Sequence, residues 1–348
     1  MKVTSELLRQ VAVTILRGLN ATDEEATVVA ESLVRANLRG IDTHGVNYLK
    51  PLSDRVRAHV MDIPTNIRLI KDRDAIAVLD GGNGFGQLAA HRAMRVSIQK
   101  GRNFGIGLTL VGNTNNVGFL SFYTLMAAEE GMIGICACNA APSMAPWGGA
   151  EPFLGTNPLS VAIPTDSQAP VVLDMSASVA ARGKIRRAQR LKDEIPIGWA
   201  LNEKGEPTTE PGSALKGTLL PIGGPKGYGL ALIIDVLAGM ISGSKYGKHV
   251  ETFHQLRGPT GIGVLTMAID IQRFMPLNHF KELMTSYVES IKGTKRAKGV
   301  RQIYLPGEIE FEKEKRSEAE GIEIDTVVAE SLNDILNTMK SPLRLTDE

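Results

Sequence analysis

Hydrophobic residues recur at helical spacing at both ends of the chain. One apolar face begins near the start, and a second follows Thr22, where Thr22 and Glu25 have the spacing of a capping box. A similar face returns from Asp325 to Met339. The pattern predicts terminal helices, and we expect residues 1–75 and 310–348 to form one helical domain.

Short apolar runs separated by helical patterns occupy the middle of the chain. The runs at 76–79, 106–111, 133–137 and 264–269 have the length of buried strands. This alternation is typical of an α/β fold. We therefore expect an α/β domain over residues 76–309.

The first strand of this region leads into a glycine-rich loop and then a helix, the order found in dinucleotide-binding units. From position 80 the loop reads Asp-Gly-Gly-Asn-Gly-Phe-Gly, which does not have the G-x-G-x-x-G spacing. No acidic residue ends a following strand about twenty residues later. The sequence therefore predicts a turn at this loop, and no Rossmann fingerprint.

A second glycine-rich segment, 223–229, carries Lys226 and precedes an apolar helix. Free backbone N–H groups at a helix N-terminus, together with a nearby cation, favour a phosphate. The G-x-x-x-x-G-K-[ST] frame of a Walker loop is absent. The segment predicts an anion site outside the P-loop class.

Composition excludes several classes of function. The chain has 348 residues, of which 43% are hydrophobic and 22% charged, and a net charge of +1. A balance so close to zero gives no reason to expect nucleic acid or an anionic membrane as partner. The longest apolar run, Tyr228 to Met240, contains Asp235 and is too short to span a bilayer.

The two cysteines, Cys136 and Cys138, have the spacing that places both on one face of a strand. They have no second pair and no histidine at metal-ligand spacing, so no metal site is predicted. They are expected to be small buried residues in a reducing compartment. With no signal peptide predicted at the N-terminus, this indicates a cytoplasmic protein.

The segment Arg39–Gly45 places one imidazole, His44, on a glycine-flanked turn after the predicted helices. Histidine titrates near neutrality and can exchange a proton in catalysis. Alternatively, His44 only bonds a carbonyl at a helix end. The segment alone favours this structural role for His44. The choice between a structural and a catalytic role therefore depends on the other motifs of the chain.

Three further segments are candidates for ligand binding. The polar loop 112–118 follows a buried strand, although its asparagines could instead cap a helix. The segment 142–158 is rich in Gly and Pro, and long ordered loops of this kind are usually functional. The strand 171–176 contains Asp174 near its end, which could bind a ribose hydroxyl or cap the turn.

Six motifs together resemble the type-2 malate/L-lactate dehydrogenase family, which includes ureidoglycolate, sulfolactate and diketogulonate enzymes. They occur in family order over nearly the whole chain, at Arg39–Gly45, Gly148–Pro158, Asp174–Ser176, Gly183–Lys184, Pro225–Gly229 and Pro306–Glu308. The resemblance implies an α/β fold with a non-Rossmann mixed sheet and N-terminal helices packed on the core. It also implies NAD or NADP as cofactor, a small-molecule substrate, and a homodimer whose subunits together complete the cofactor site.

The resemblance also assigns site residues by position. It implies His44 and Asn116 as catalytic residues, and Thr43, Tyr48 and Asn157 as substrate-binding residues. The implied cofactor-binding residues are Gly118, Asn139, Ala140, Thr156, Asp174, Met175, Ser176, Ser178, Lys184, Lys226, Gly227, Gly307 and Glu308. Trp147 is expected to pack rather than bind.

Three positions depart from the family pattern. Many relatives carry His at position 116, Arg at 48 and Tyr at 52, where this chain has Asn116, Tyr48 and Leu52. An amide can hydrogen-bond a carbonyl but cannot deliver a proton, and losing the Arg removes a bidentate carboxylate clamp. His44 therefore becomes the predicted proton donor, with a limb near neutrality in the pH profile.

The other five histidines are predicted to lie outside the active site. His91 falls on a predicted helix, and His249, His254 and His279 lie outside the six motifs. His59 shares a helical pattern with Arg55 and Arg57, which indicates a solvated face.

The leading functional hypothesis is hydride transfer between NAD(P) and a small 2-hydroxy or 2-oxo acid. The three departures keep two alternatives open. One is reduction of a cyclic or linear α-imino acid, and the other is a protein that binds the cofactor but has lost turnover.

Overall fold

The computed structural model describes residues 1–166 and 169–346. Its helices are α1 Ser5–Gly18, α2 Asp23–Leu38, α3 Leu49–Arg57, α4 Gly86–Phe104, α5 Ser121–Glu129, α6 Arg182–Leu191, α7 Pro211–Lys216, α8 Pro225–Ile234, α9 Leu277–Lys292, α10 Glu308–Glu320 and α11 Thr326–Thr338. Its strands are β1 Lys2–Val3, β2 Arg68–Arg73, β3 Ile76–Asp80, β4 Ile106–Thr114, β5 Met132–Cys138, β6 Leu159–Ile163, β7 Val171–Met175, β8 Ala200–Leu201, β9 Thr218–Leu219, β10 Ile262–Asp270 and β11 Ile322–Glu323.

The terminal helices form a hydrophobic cluster of their own. Buried side chains of α1, α2 and α3 pack with those of α11, and β1 pairs antiparallel with β11. The capping box predicted at Thr22 and Glu25 is confirmed, with both reciprocal hydrogen bonds present. The expected division into a helical domain of residues 1–75 plus 310–348 and an α/β domain of residues 76–309 stays a prediction. Residues 167–168 and 347–348, which belong to these ranges, lie outside the described residues.

Seven strands form one mixed sheet in the order β2-β3-β4-β10-β5-β6-β7. The β3–β4 pairing is parallel, and the other five pairings are antiparallel. The predicted non-Rossmann mixed sheet is therefore confirmed. A Rossmann sheet is mostly parallel, because each strand is followed by a crossover helix.

Helices cover both faces of the sheet. Val264 and Ala268 of β10 pack toward α4 and α5, whereas Leu265 packs toward the end of α8. Cys136 and Cys138 both face the α4–α5 side as buried free thiols, as their spacing predicts. Across the described ranges, no helix combines the length and apolarity needed to cross a bilayer.

The glycine loop between β3 and α4 is a turn, as predicted. Asp80 Oδ1 accepts a hydrogen bond from Gly82 N at 2.9 Å, which closes the turn locally. From the next strand connection, the buried Asn115 amide donates to the carbonyls of Asn83 at 2.8 Å and Gly84 at 3.0 Å. The polar groups of this loop thus form hydrogen bonds that hold it against the segment following β4.

Candidate active site

His44 lies on a short 3₁₀ turn that follows α2, and the side chain of Asn37 fixes this turn. Asn37 Nδ2 donates to Asp42 Oδ1 at 2.9 Å, and its Oδ1 accepts from Val46 N at 2.9 Å. A Cβ at Gly45 would lie 2.2 Å from the same amide oxygen, so only glycine fits. The glycine in the motif is therefore required by packing against a buried amide.

The His44 imidazole is neutral at physiological pH. Burial lowers its pKa from 6.5 to about 4. Its Nδ1 lies 3.1 Å from Thr43 Oγ1, and its ring stacks on Tyr48 with centroids 5.9 Å apart and planes 7° apart. Desolvation thus moves the titration of His44 in the free protein to acid pH, while the limb near neutrality expected in the kcat profile stays a prediction.

Tyr48 joins the two predicted catalytic residues. One side of its ring faces His44, and Asn116 lies close enough to its hydroxyl to lower the pKa of Tyr48. Burial raises the pKa of Tyr48, against smaller opposing effects of the Arg186 charge and the Asn116 bond. Because Asn116 Oδ1 already accepts from Gly118 N at 2.9 Å, the amide Nδ2 is the donor available to Tyr48. The structure thus brings three predicted site residues together.

Sequence reasoning missed three residues at this place. The ring of Tyr48 is 5.6 Å from Phe253 and 6.2 Å from His254, and Arg186 Nη1 lies 2.8 Å from His254 Nε2. His254 therefore lies beside the site although it falls outside the six motifs, and its exclusion as the proton donor stays a prediction. The available signal was a basic helix with Arg182 and Arg186 one turn apart.

The loop carrying His254 is held by Arg55. This guanidinium stacks on Phe253 at 5.1 Å and donates to the carbonyls of Gln255 at 2.9 Å and Gly258 at 2.8 Å. Arg55 is fully buried, so the solvated face predicted there is wrong for this residue, while Arg57 and His59 are exposed. Four backbone carbonyls accept hydrogen bonds from its two Nη groups and so offset the cost of burying the cation, while Nε has no partner among the described residues.

The Lys226 segment forms a second part of the candidate site. Lys226 is exposed in the first turn of α8, after Gly223 and Gly224, which have φ of +59° and +63°. A Cβ at Gly227 would lie 2.4 Å from Ile222 O and 2.6 Å from Ala177 O, so the turn needs glycine. Within the described residues, no carboxylate lies within ion-pair distance of Lys226.

These features fit the phosphates of a dinucleotide, because backbone and cation are both open to a ligand. Ala177 N donates to Thr156 O at 2.7 Å, so the predicted segments near 156, 174–178 and 223–227 meet. Trp147 is 57% exposed and lies over Gly224, which agrees only partly with its expected packing role.

Two asparagines predicted to bind ligands make hydrogen bonds to other groups of the protein instead. Asn139 donates to Asp235 Oδ1 and accepts from Gly263 N, both at 2.9 Å. Asn157 accepts from Ala140 N at 3.0 Å and donates to Ala231 O at 2.8 Å. Both are completely buried. Their roles in binding stay predictions, and the contacts indicate that they would act through the backbone they hold.

The predicted residues around β7 form a third part. The Asp174 carboxylate accepts from Ser121 N at 2.7 Å and so caps α5, and the hydroxyls of Ser176 and Ser178 are 3.1 Å apart. Met175 ends the strand, and Lys184 is exposed on α6.

Between β7 and α10 lies a cavity of about 300 Å³ lined by Pro170, Lys292, Pro306, Glu308 and Phe311. Glu308 pairs with Lys292 and accepts from Leu305 N at 2.8 Å. Gly307 has φ of +85°, and a Cβ there would meet Val172 at 2.7 Å. Among the residues that the structure describes, no group of three or more His, Cys, Asp or Glu side chains could hold a metal.

Known proteins match this chain over almost its full length. The malate/L-lactate dehydrogenase family profile matches residues 3–333. The malate dehydrogenase of Pyrococcus abyssi is 38% identical over 96% of this chain and 94% of its own. Ureidoglycolate dehydrogenase (NAD(+)) of Escherichia coli O157:H7 is 33% identical over 93% of each chain. The structure of sulfolactate dehydrogenase from Methanocaldococcus jannaschii has a TM-score of 0.93 at 34% identity, covering 99% of this chain and 98% of that chain.

The mixed sheet and these matches define a dehydrogenase of a non-Rossmann class. The chain belongs to the malate/L-lactate dehydrogenase family. The resemblance drawn from the six motifs is thereby confirmed, while the roles assigned to individual site residues remain predictions.

Proposed function

We propose that the protein transfers a hydride between NAD or NADP and the C2 carbon of a small 2-hydroxy or 2-oxo acid. The carrying observation is the half-buried imidazole of His44, whose pKa is lowered by desolvation and which stacks on Tyr48, whose hydroxyl lies near Asn116. Relatives whose names specify NAD(+) or NADP(+) support either cofactor form.

The bound nicotinamide would supply or accept the hydride, and the protein moves the proton. With Nδ1 of His44 near the Thr43 hydroxyl, Nε2 is the atom free to take a proton from a substrate hydroxyl. In the reverse direction the same nitrogen returns it. Asn116 holds the substrate oxygen with its amide donor, and the surrounding rings exclude water, which strengthens both contacts.

The imino-acid alternative is less favoured, because relatives that match this chain over nearly its whole length are named malate, sulfolactate and ureidoglycolate dehydrogenases, after 2-hydroxy acids. We propose to test both reactions with 2-oxo acids and cyclic imino acids, each against NADH and NADPH. Oxidation of the cofactor by a 2-oxo acid is expected. Cofactor binding without turnover of any acid would support a protein that has lost its activity.

We further propose that the protein is a homodimer. Large apolar side chains remain exposed along α8 and the π-helical turn after it, at Leu232, Ile233, Leu237, Met240 and Ile241. Contiguous exposed apolar surface of this kind is typical of a contact between subunits. Because α8 also carries Lys226, a partner there would adjoin the cofactor segment. Light scattering should give twice 37.5 kDa, and a stable monomer that binds NADH would contradict the proposal.

A cytoplasmic location is also proposed, because Cys136 and Cys138 are both free thiols. Cell fractionation should recover the protein with cytosolic markers. Recovery with exported proteins would contradict this location.

A further inference from the structure

The N-terminal half of α6 carries two arginines that are not neutralised. Arg182 and Arg186 are one helical turn apart, and among residues 1–166 and 169–346 no carboxylate lies within 4.0 Å of either guanidinium. Arg182 Nη2 donates to Leu215 O, so this group is tied to the backbone. Arg186 is exposed, and the only hydrogen bond of its side chain among the described residues joins Nη1 to His254 Nε2.

This helix is placed against the catalytic turn. A Cβ at Gly183 would lie 2.8 Å from Thr43 Cγ2, so the start of α6 packs directly against Thr43, the residue before His44. One turn on, Arg186 contacts His254, whose ring is 6.2 Å from the ring of Tyr48. The guanidinium therefore reaches the Tyr48 side of the site, although its sequence position is remote.

The contact with His254 also orients the guanidinium. A guanidinium only donates, so His254 must accept through Nε2 and carry its proton on Nδ1. With Nη1 engaged, the Nε–Nη2 edge of Arg186 stays available. That edge presents two parallel N–H groups, the geometry that matches a carboxylate.

We propose that Arg186 binds the carboxylate of the substrate, in place of the arginine that related enzymes carry at position 48. This inference rests on the proposed function, since it assumes a 2-oxo or 2-hydroxy acid as substrate. Tyr48 offers one uncharged hydrogen bond and cannot neutralise a carboxylate. Arg186 supplies the missing charge from another helix, and His254 acts as a positioning residue for it.

The test measures ligand binding as well as turnover. Oxamate, an unreactive mimic of a 2-oxo acid, is titrated into the protein saturated with NADH or NADPH, and each cofactor is titrated separately. The variants are Arg186→Gln, Arg186→Lys and the control Arg187→Gln. Arg187 is exposed on the same helix and has no ion-pair partner among the described residues, so its change removes an equal charge.

Arg186→Gln should weaken oxamate binding and raise the KM of the 2-oxo acid by about ten- to a hundredfold, with cofactor affinity within about twofold. The oxamate affinity of Arg186→Lys should lie between those of the wild type and Arg186→Gln, because lysine keeps the positive charge but lacks the two parallel N–H groups of a guanidinium. Arg187→Gln should match the wild type.

Three outcomes separate this inference from the proposed function. If Arg186→Gln binds oxamate as Arg187→Gln does, the inference is overturned while the function stands. If the cofactor affinity falls and oxamate binding does not, Arg186 belongs to the cofactor site and the inference is again overturned. If the wild type neither binds oxamate nor oxidises the cofactor with any 2-oxo acid, the proposed function itself fails.

Discussion

The Tyr48 side of the candidate site is lined by rings, whereas the Lys226 side is built from glycine backbone. Around Tyr48, the rings of His44, Phe253 and His254 pack together, and partial burial shifts the pKa values of the two histidines and of Tyr48. Around Lys226, positive-φ glycines leave main chain and cation exposed. Proton transfer benefits from a desolvated site, whereas holding a phosphate requires close approach of the backbone. The comparison predicts that substitutions on the two sides affect different kinetic constants.

The largest effect is expected for His44→Ala. A positioned acid or base typically contributes about 10²–10⁴-fold to such a step, so kcat should fall by that order. His44→Asn should behave alike, since it retains a hydrogen bond without a transferable proton. Cofactor affinity, measured by NAD(P)H fluorescence, should stay within a few-fold. Near-full activity of either variant would show that the proton donor is elsewhere, with Tyr48 next in line.

The desolvation of His44 predicts a dependence of stability on pH. Because its pKa is lowered from 6.5 to about 4, the unfolded chain binds a proton more readily than the folded protein between these values. The wild type should therefore lose up to about 3 kcal/mol of unfolding free energy as the pH falls from 6.5 to 4.

Urea unfolding of the wild type and of His44→Asn at pH 7 and pH 4.5 checks this. The variant lacks the titrating group and should lose less stability on acidification. Equal losses in both proteins would mean that the imidazole is not desolvated, and the contrast between the two sides would weaken.

On the other side, Lys226→Ala should weaken NAD(P)H binding by about ten- to a hundredfold, the value of a charged hydrogen bond. The fold should be retained, because the side chain is exposed. The cofactor's KM should rise with kcat little changed. A collapse of kcat at unchanged KM would place Lys226 with the chemistry and remove the distinction between the two sides.

The smallest effect is expected for Tyr48→Phe. This change keeps the ring stacked on His44 but removes the hydroxyl near Asn116, and its loss should cost no more than one neutral hydrogen bond, about 0.5–1.5 kcal/mol. The value of kcat/KM should fall by less than about tenfold. A loss as large as that of His44→Ala would identify the phenol as the proton donor.

Local signals predicted much of the fold. The capping box at Thr22, the strands around β10 and the turn at 80–86 all follow from nearby residues. The sequence pattern did not predict helix α10, because its buried face is held partly by ion pairs rather than by apolar side chains. There Glu314 pairs with Arg35 and Arg39, so no apolar period marks the helix.

The motifs predicted His44, Tyr48 and Asn116, which the structure brings together. They missed Arg186 and His254, because a contact between residues this far apart leaves no periodic pattern in one sequence. The motifs also could not distinguish an amide that binds a ligand from one that holds the protein's own backbone. Asn139 and Asn157 were both predicted to bind a ligand, yet their side chains make buried hydrogen bonds within the protein.

Strand β10 has a consequence for how the chain must be made. It pairs with β4 on one side and β5 on the other, although about 150 residues separate it from β4 and about 125 from β5 along the chain. A nascent chain that ends before residue 262 holds two long unpaired strand edges, which invite association with other chains. The sheet can close only after residue 270 has left the ribosome, so we expect both edges to stay exposed until late in synthesis.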